Sequence, residues 1–144
     1  MKATVLDKPP ISGSIEEIRY EARGGCTWVL FDPPDSEPWA GVFGKGLLPA
    51  RNRVALFADG GAAFVVAGGQ GYSVDLRDRR LLHRADQDDL CRVLALPETD
   101  FVVCADYTRL LAFSREGLCW TSDRVALDGI ILDAASRTQV TGKV

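Results

Sequence analysis

A repeat of 37 residues is the feature that most constrains what this chain can fold into. When the sequence is shifted against itself by that distance, Phe64-Val65-Val66-Ala67 falls on Phe101-Val102-Val103-Cys104, and Leu81-Leu82 falls on Leu118-Cys119. A third copy begins at Ile130-Ile131-Leu132, again 37 residues further on. A period of about 40 residues that holds several short apolar runs is typical of small sheets packed next to one another.

Each full copy predicts a meander of four strands. The predicted strands lie near 53–57, 62–67, 71–76 and 80–84 in the first copy, and near 90–95, 100–104, 108–113 and 117–121 in the second. Turn residues such as Asp59-Gly60-Gly61 and Gly68-Gly69 separate them. We therefore predict an all-β fold of antiparallel meander sheets, arranged as a partial propeller or as a sandwich.

At 144 residues, the chain suits one domain. We predict a single all-β domain over 1–144, made of an irregular part (1–50), a first repeat (53–84), a second repeat (90–121) and a partial third repeat (129–144). Within the irregular part, the sequence near 15–22 fits a short helix or a strand. Because Ile18, Tyr20 and Ala22 alternate with charged residues, we favour a hairpin that continues into the strand near 27–31.

The run from Phe64 to Asp78, followed by Leu81-Leu82-His83-Arg84, resembles a blade of the WD40 or PQQ-type β-propellers. The resemblance extends over about residues 53–132 and implies a propeller-like arrangement of sheets. The chain has neither the Trp-Asp dipeptide and Gly-His pair of WD40 blades nor the Trp-Gly ends of PQQ blades. No functional residue of either family is therefore transferred to it.

Charge and composition narrow the function classes. The chain has 17 basic and 20 acidic residues and a net charge of −3, so its overall field predicts no nucleic-acid partner and no membrane surface. No apolar run approaches the ~20 residues of a membrane span. The first residues are interrupted by Asp7-Lys8-Pro9-Pro10 before an apolar signal region forms. We expect a cytoplasmic protein.

The four cysteines fit a reducing compartment. No Cys-x-x-Cys pair occurs, and His83 is the only histidine, so we predict no metal site and no cofactor. Cys91, Cys104 and Cys119 lie in apolar runs, which indicates buried thiols. Cys104 and Cys119 should lie ~10 Å apart on strands separated by a third, which exceeds the reach of a disulfide. We expect four free thiols.

The residues that carry chemistry in enzymes do not converge in this sequence. Gly68-Gly69 fits a hairpin turn better than a phosphate loop, because no helix pattern follows it. His83 matches Trp120 of the next repeat, which indicates a position selected for shape. Asp86, Asp88 and Asp89 could gather calcium ligands but lack the spacing of an EF-hand, and a solvated connection fits them better. We predict that the protein is not an enzyme.

Six residues are the candidates for contact with a partner. Trp39 lies beside a Pro-Pro loop, where tryptophan can mark a binding surface, although packing in a core is the commoner role. Arg77, Arg79 and Arg80 form the densest basic cluster, on a predicted hairpin tip. The six candidates are Trp39, Phe43, Arg77, Arg79, Arg80 and Ile131.

The leading hypothesis is a non-enzymatic protein–protein interaction module, such as a small bacterial immunity or inhibitor protein or a subunit of a complex. The alternative is a small-molecule binder with a pocket between sheets, and a hydrolase or transferase comes third. The third repeat is incomplete, so its sheet has an edge near 129–133. Three partners for this edge are open: the strand near Trp28-Val29-Leu30-Phe31 in cis, a second copy of the chain, or another protein.

Overall fold

The fold was obtained as a computed structural model that describes residues 1–136 and 139–144. Over these residues the chain forms fourteen β-strands and no helix, which confirms the predicted all-β class. Consequently, no helical segment of the described chain has the length and hydropathy to cross a membrane. The strands form four sheets, three with four strands and one with two, and all but one of the strand pairs are antiparallel. This arrangement is consistent with a sandwich or a partial propeller.

The first sheet has the strand order β1-β3-β4-β2. Its strands are β1 (Lys2–Leu6), β2 (Glu16–Tyr20), β3 (Cys26–Asp32) and β4 (Trp39–Gly44). The prediction of strands rather than a helix is confirmed here, but the predicted hairpin between β2 and β3 is wrong. Both edges of β3 are taken by β1 and β4, so β2 joins the free edge of β4, parallel to it.

The second sheet is the first full repeat and has the predicted meander order, β5-β6-β7-β8. Its strands are β5 (Arg53–Leu56), β6 (Ala62–Ala67), β7 (Gln70–Asp75) and β8 (Arg80–Arg84). Gly68 and Gly69 connect β6 to β7 with φ angles of 53° and 88°. Left-handed backbone at two successive positions is typical of a two-residue hairpin turn, and only glycine adopts it without strain. The turn interpretation is confirmed.

The third sheet is the second repeat, with the order β9-β10-β11-β12. Its strands are β9 (Arg92–Ala95), β10 (Val102–Ala105), β11 (Leu110–Ser114) and β12 (Gly117–Thr121). The turn from β10 to β11 has no glycine. Instead, the Asp106 carboxylate accepts hydrogen bonds from the backbone N–H groups of Thr108 and Arg109, at 2.7 and 2.6 Å. The Asp106 side chain thus stabilises this turn, whereas the equivalent turn of the first repeat relies on the backbone freedom of glycine.

The fourth sheet has only two strands, β13 (Ile131–Ala135) and β14 (Val140–Lys143). Both strands lie within the predicted partial third repeat, 129–144, of which positions 137 and 138 lie outside the described residues. Of the three partners left open for the edge near 129–133, closure in cis by the strand near Trp28 is excluded. The segment around Trp28 belongs to β3, which pairs with β1 and β4 and has no free edge for the fourth sheet.

The four sheets pack face to face in chain order. Eleven buried side chains fill the space between the first and second sheets, and eleven fill the space between the second and third. Along β6, Ala63 and Val65 face the first sheet while Phe64 and Val66 face the third. The second sheet is therefore covered on both sides, which explains why every residue of β6 is buried. These filled interfaces hold the sheets together through the hydrophobic effect.

Candidate functional site

The third sheet is covered on one side only. In β11, Leu111 and Phe113 are buried against the second sheet, whereas Leu110, Ala112 and Ser114 on the opposite side are half-exposed. The equivalent strand of the second sheet, β7, has no such alternation and is buried on both sides except at its last residue. The contrast follows from the neighbours, because β7 lies between two full sheets and β11 does not.

The fourth sheet covers only part of that uncovered side. The cluster between the third and fourth sheets holds three buried residues, Ala105, Ala126 and Ile130. Strand β13 packs beside β9 and β10, and Leu110 at the start of β11 packs against the same cluster, whereas no described residue of β12 belongs to it. Apolar side chains stay exposed in two places here, and we call them together the open face: Phe101 and Trp120 on the third sheet, and Val125, Leu127, Ile131 and Val144 on the segment after β12 and on the fourth sheet.

The repeat shows what is missing at the open face. Phe64 points from the second sheet to the third and is fully buried, whereas its repeat counterpart Phe101 is 37% exposed. The ring of His83 lies about 3.4 Å from the Cβ position of Gly117 on the neighbouring sheet, whereas its counterpart Trp120 is 52% exposed. In both pairs the second-sheet residue meets the third sheet. The third-sheet residue would meet two outer strands that the fourth sheet lacks.

Two cavities border the open face. The larger, of about 520 Å³, is lined by residues 124–129 and by Val144. Arg124 and Asp128 place one charge of each sign in this otherwise apolar lining. A smaller cavity of about 280 Å³ adjoins it and shares Asp128 and Val144. The open face is thus concave and apolar, with a charged rim.

The structure places two of the predicted contact residues in the core. Trp39 and Phe43 are 1% and 0% exposed, so the prediction that they face a partner is wrong and the alternative of core packing holds. The cause is the position of β4, which lies inside the first sheet and turns both rings toward the second. The ring of Trp39 packs 4.5 Å from that of Phe31, centroid to centroid.

The predicted arginine cluster lies at the turn between β7 and β8, away from the open face. Arg79 is bound inside the molecule: its guanidinium contacts Glu16 at 2.5 Å and lies 5.4 Å from the Trp39 ring centroid. Its backbone oxygen accepts a hydrogen bond of 2.7 Å from Tyr20. Arg77 and Arg80 are exposed. Of the predicted candidates, Ile131 lies on the open face, 49% exposed.

The acidic residues that the sequence offered as calcium ligands lie in a packed loop. The backbone of Asp88 in this loop packs against Gly69 so closely that a side chain would not fit at position 69. Burial, followed by the charge of Asp106, raises the pKa of the Asp89 carboxyl. Among residues 1–136 and 139–144, no three histidine, cysteine, aspartate or glutamate side chains are grouped as metal ligands.

A polar cavity of about 520 Å³ lies where β1, β3 and β5 approach one another, and it bears on the alternative of a small-molecule binder. Part of its polar lining already has partners. The Thr27 hydroxyl donates to the Asn52 side-chain oxygen at 2.6 Å, and the same oxygen accepts from the Gly68 N–H at 2.9 Å. These contacts join the first two sheets, whereas the buried indole N–H of Trp28, which also lines the cavity, has no partner among the described residues.

The four cysteines are unpaired, as expected. Cys91 and Cys104 are buried as predicted, but the prediction for Cys119 is wrong, because it lies on the outermost strand β12 and is exposed. Burial raises the pKa of the Cys104 thiol well above its ordinary value, and it also raises the pKa of Cys91. Since the thiolate is the reactive form, these two thiols should be slow to react.

We expect iodoacetamide to label Cys119 first in the native protein and Cys104 only after unfolding. The ratio of the two rates should exceed about 100-fold at pH 7.5, because the Cys104 thiol must become exposed and lose its proton before it can react. Peptide mass spectrometry of timed samples measures the order. In denaturant without reductant, all four cysteines should be labelled. Fewer than four, or a native Cys104 as fast as Cys119, would contradict the structure.

Comparison with protein-family models, with curated proteins and with solved structures finds no match to this chain. The candidate site is therefore defined by its geometry. Sequence reasoning found the edge near Ile131 but missed Val125 and Leu127, which lie outside any strand. One signal was available: the segment from Asp123 to Gln139 has neither lysine nor proline, the residues that protect exposed β-edges.

Proposed function

We propose that this chain is a non-enzymatic protein–protein interaction module and that it binds its partner through the open face. The observation that carries the proposal is the incomplete third cluster: three buried residues where each of the first two clusters has eleven. Exposed apolar patches rimmed by polar residues often mark interaction sites, and the apolar cavity lined by 124–129 and Val144 has such a rim.

The energetics of burial support this role. Fully burying a large aliphatic or aromatic side chain contributes about 1.5–3 kcal/mol. Leu127 is 82% exposed, so most of that contribution is still available to a partner. Trp120 adds the residue type that most often dominates binding at interfaces. A partner that covers these side chains would complete the third cluster in the way that the third sheet completes the second.

The partial-propeller arrangement and a cytoplasmic location belong to the same proposal. The innermost strands of successive sheets lie beside one another, β5 against β9 and β9 against β13, as in a propeller around an axis. Four thiols without a disulfide fit a reducing compartment. A partner bound at the open face would add a further layer next to the third and fourth sheets.

Site-specific photo-crosslinking in living cells tests the proposal. A photoreactive amino acid at position 127 or 120 should produce a discrete crosslinked species. The same group at position 11 or 47 should produce none, although Ile11 and Leu47 are as exposed as Leu127, at 83% and 74%. Equal crosslinking at all four positions, or none at 127 and 120 in folded protein, would overturn the assignment of the open face.

A further inference from the structure

We infer that the partner at the open face is a second copy of this chain, which docks its own open face about a two-fold axis. This inference rests on the proposed function and names its partner. A contact of this kind is isologous: one patch meets the same patch of the partner, so the patch must be complementary to itself. The charges and the apolar area of the open face fit that requirement.

The charges at the rim match across a two-fold axis. Arg124 and Asp128 line the same cavity, separated by the apolar Val125, Ala126 and Leu127. The Nε–H of Arg124 donates to the carbonyl oxygen of Ala126 at 3.1 Å, which fixes the side chain along its own segment. In a two-fold contact centred on Leu127, Arg124 of each copy meets Asp128 of the other. These two residues then form two ion pairs across the axis, while the basic residues Arg51, Arg92 and Lys143 line the adjoining cavity.

The apolar side chains near Leu127 fit the centre of a dimer contact. Val125, Leu127, Ile131 and Val144 have exposed fractions between 46% and 83% and line two adjoining cavities. A stable interface buries about 800 Å² on each partner, of which somewhat more than half is apolar. These four side chains would form the apolar centre of such a contact.

Light scattering coupled to size exclusion tests the inference on the full chain. At 50 µM the wild-type chain should have twice the monomer mass of 15.7 kDa. Leu127→Asp should be monomeric, because it buries two unpaired carboxylates at the centre of the contact. Ile11→Asp, a change at an equally exposed position, should stay dimeric. Circular dichroism should show both variants folded, because neither side chain is buried in the monomer.

A charge exchange identifies the second copy specifically. Arg124→Asp and Asp128→Arg should each be monomeric alone at 50 µM, because each places like charges opposite each other and weakens association at least ~10-fold. Mixed in equal amounts, the two variants should form a heterodimer, since every pair is again of opposite sign. The double variant should dimerise as the wild type does.

The outcomes separate this inference from the proposed function. A wild-type chain that is monomeric at 50 µM, or a mixture of the two charge variants that stays monomeric, overturns the second-copy inference. Crosslinks from position 127 to a different protein would overturn it as well, while leaving the interaction module in place. Crosslinking that is absent at positions 127 and 120 would instead remove the module itself.

Discussion

Phe64→Ala is expected to destabilise the protein by about 3–5 kcal/mol, the range measured when a large aromatic side chain is removed from a filled core. Phe64 is fully buried between the second and third sheets, and its ring centroid lies 4.8 Å from that of Phe113. The cavity cannot collapse easily, because β6 is held by β5 on one edge and by β7 on the other. Equilibrium unfolding in urea at pH 7.5 measures the loss.

Phe101→Ala is the matched control, because the repeat aligns Phe101 with Phe64. Phe101 is 37% exposed, and the described fourth sheet has no outer strands to cover it. Its removal should cost the isolated chain less than about 1 kcal/mol. If the two substitutions cost the same, the stacking order of the sheets would be wrong. If the dimer forms through the open face, the Phe101→Ala loss should grow with protein concentration.

Local sequence signals predicted the repeats well. The bounds predicted for β6 and β8, 62–67 and 80–84, are those of the structure. Each strand borders a turn that the sequence reveals directly: Gly68-Gly69 follows β6, and Arg77-Asp78-Arg79-Arg80 leads into β8. The positive φ of Arg79, 56°, shows that this second turn also uses left-handed backbone. Where strands are joined by short turns, the pairing partner is the next strand, and the meander follows from the sequence alone.

The first sheet could not be predicted in the same way, because its pairings connect distant segments. Strand β1 was not predicted at all, and it takes the edge of β3 that the predicted hairpin needed. The parallel pair of β2 with β4 joins Glu16 to Trp39, and no local turn chemistry encodes such a contact. The alternation of Ile18 and Tyr20 correctly indicated a strand. It carried no information about which edge that strand would join.

Part of the candidate site could likewise be predicted from the sequence, and part of it could not. The incomplete third repeat predicted an edge near Ile131, because a missing strand is visible in the spacing of the repeat. Leu127 lies between elements, where neither period nor turn chemistry applies, and only the packing of Ala126 and Ile130 against the third sheet turns it outward. The prolines near Trp39 suggested a loop. The ring is buried because Trp39 is the first residue of β4, which lies in the interior of its sheet.

Trp39→Ala is expected to have the second large effect on stability, about 3–5 kcal/mol. Trp39 is 1% exposed and packs between Phe31, Tyr20 and the guanidinium of Arg79. Removing the indole leaves a cavity between the first and second sheets and takes the aromatic face from Arg79. Trp39→Phe should cost less, because it keeps an aromatic ring and because the indole N–H has no partner among the described residues.

Trp120→Ala separates a core tryptophan from an interface tryptophan. Trp120 is 52% exposed in the monomer, so its loss should change the free energy of unfolding of the Leu127→Asp monomer by less than about 1 kcal/mol. In the otherwise wild-type chain, the same substitution should weaken self-association by about 10-fold or more, since a tryptophan buried in an interface often contributes over 1 kcal/mol. Trp39→Phe should leave the association constant unchanged. A Trp120→Ala chain that associates as tightly as the wild type would place the contact elsewhere on the molecule.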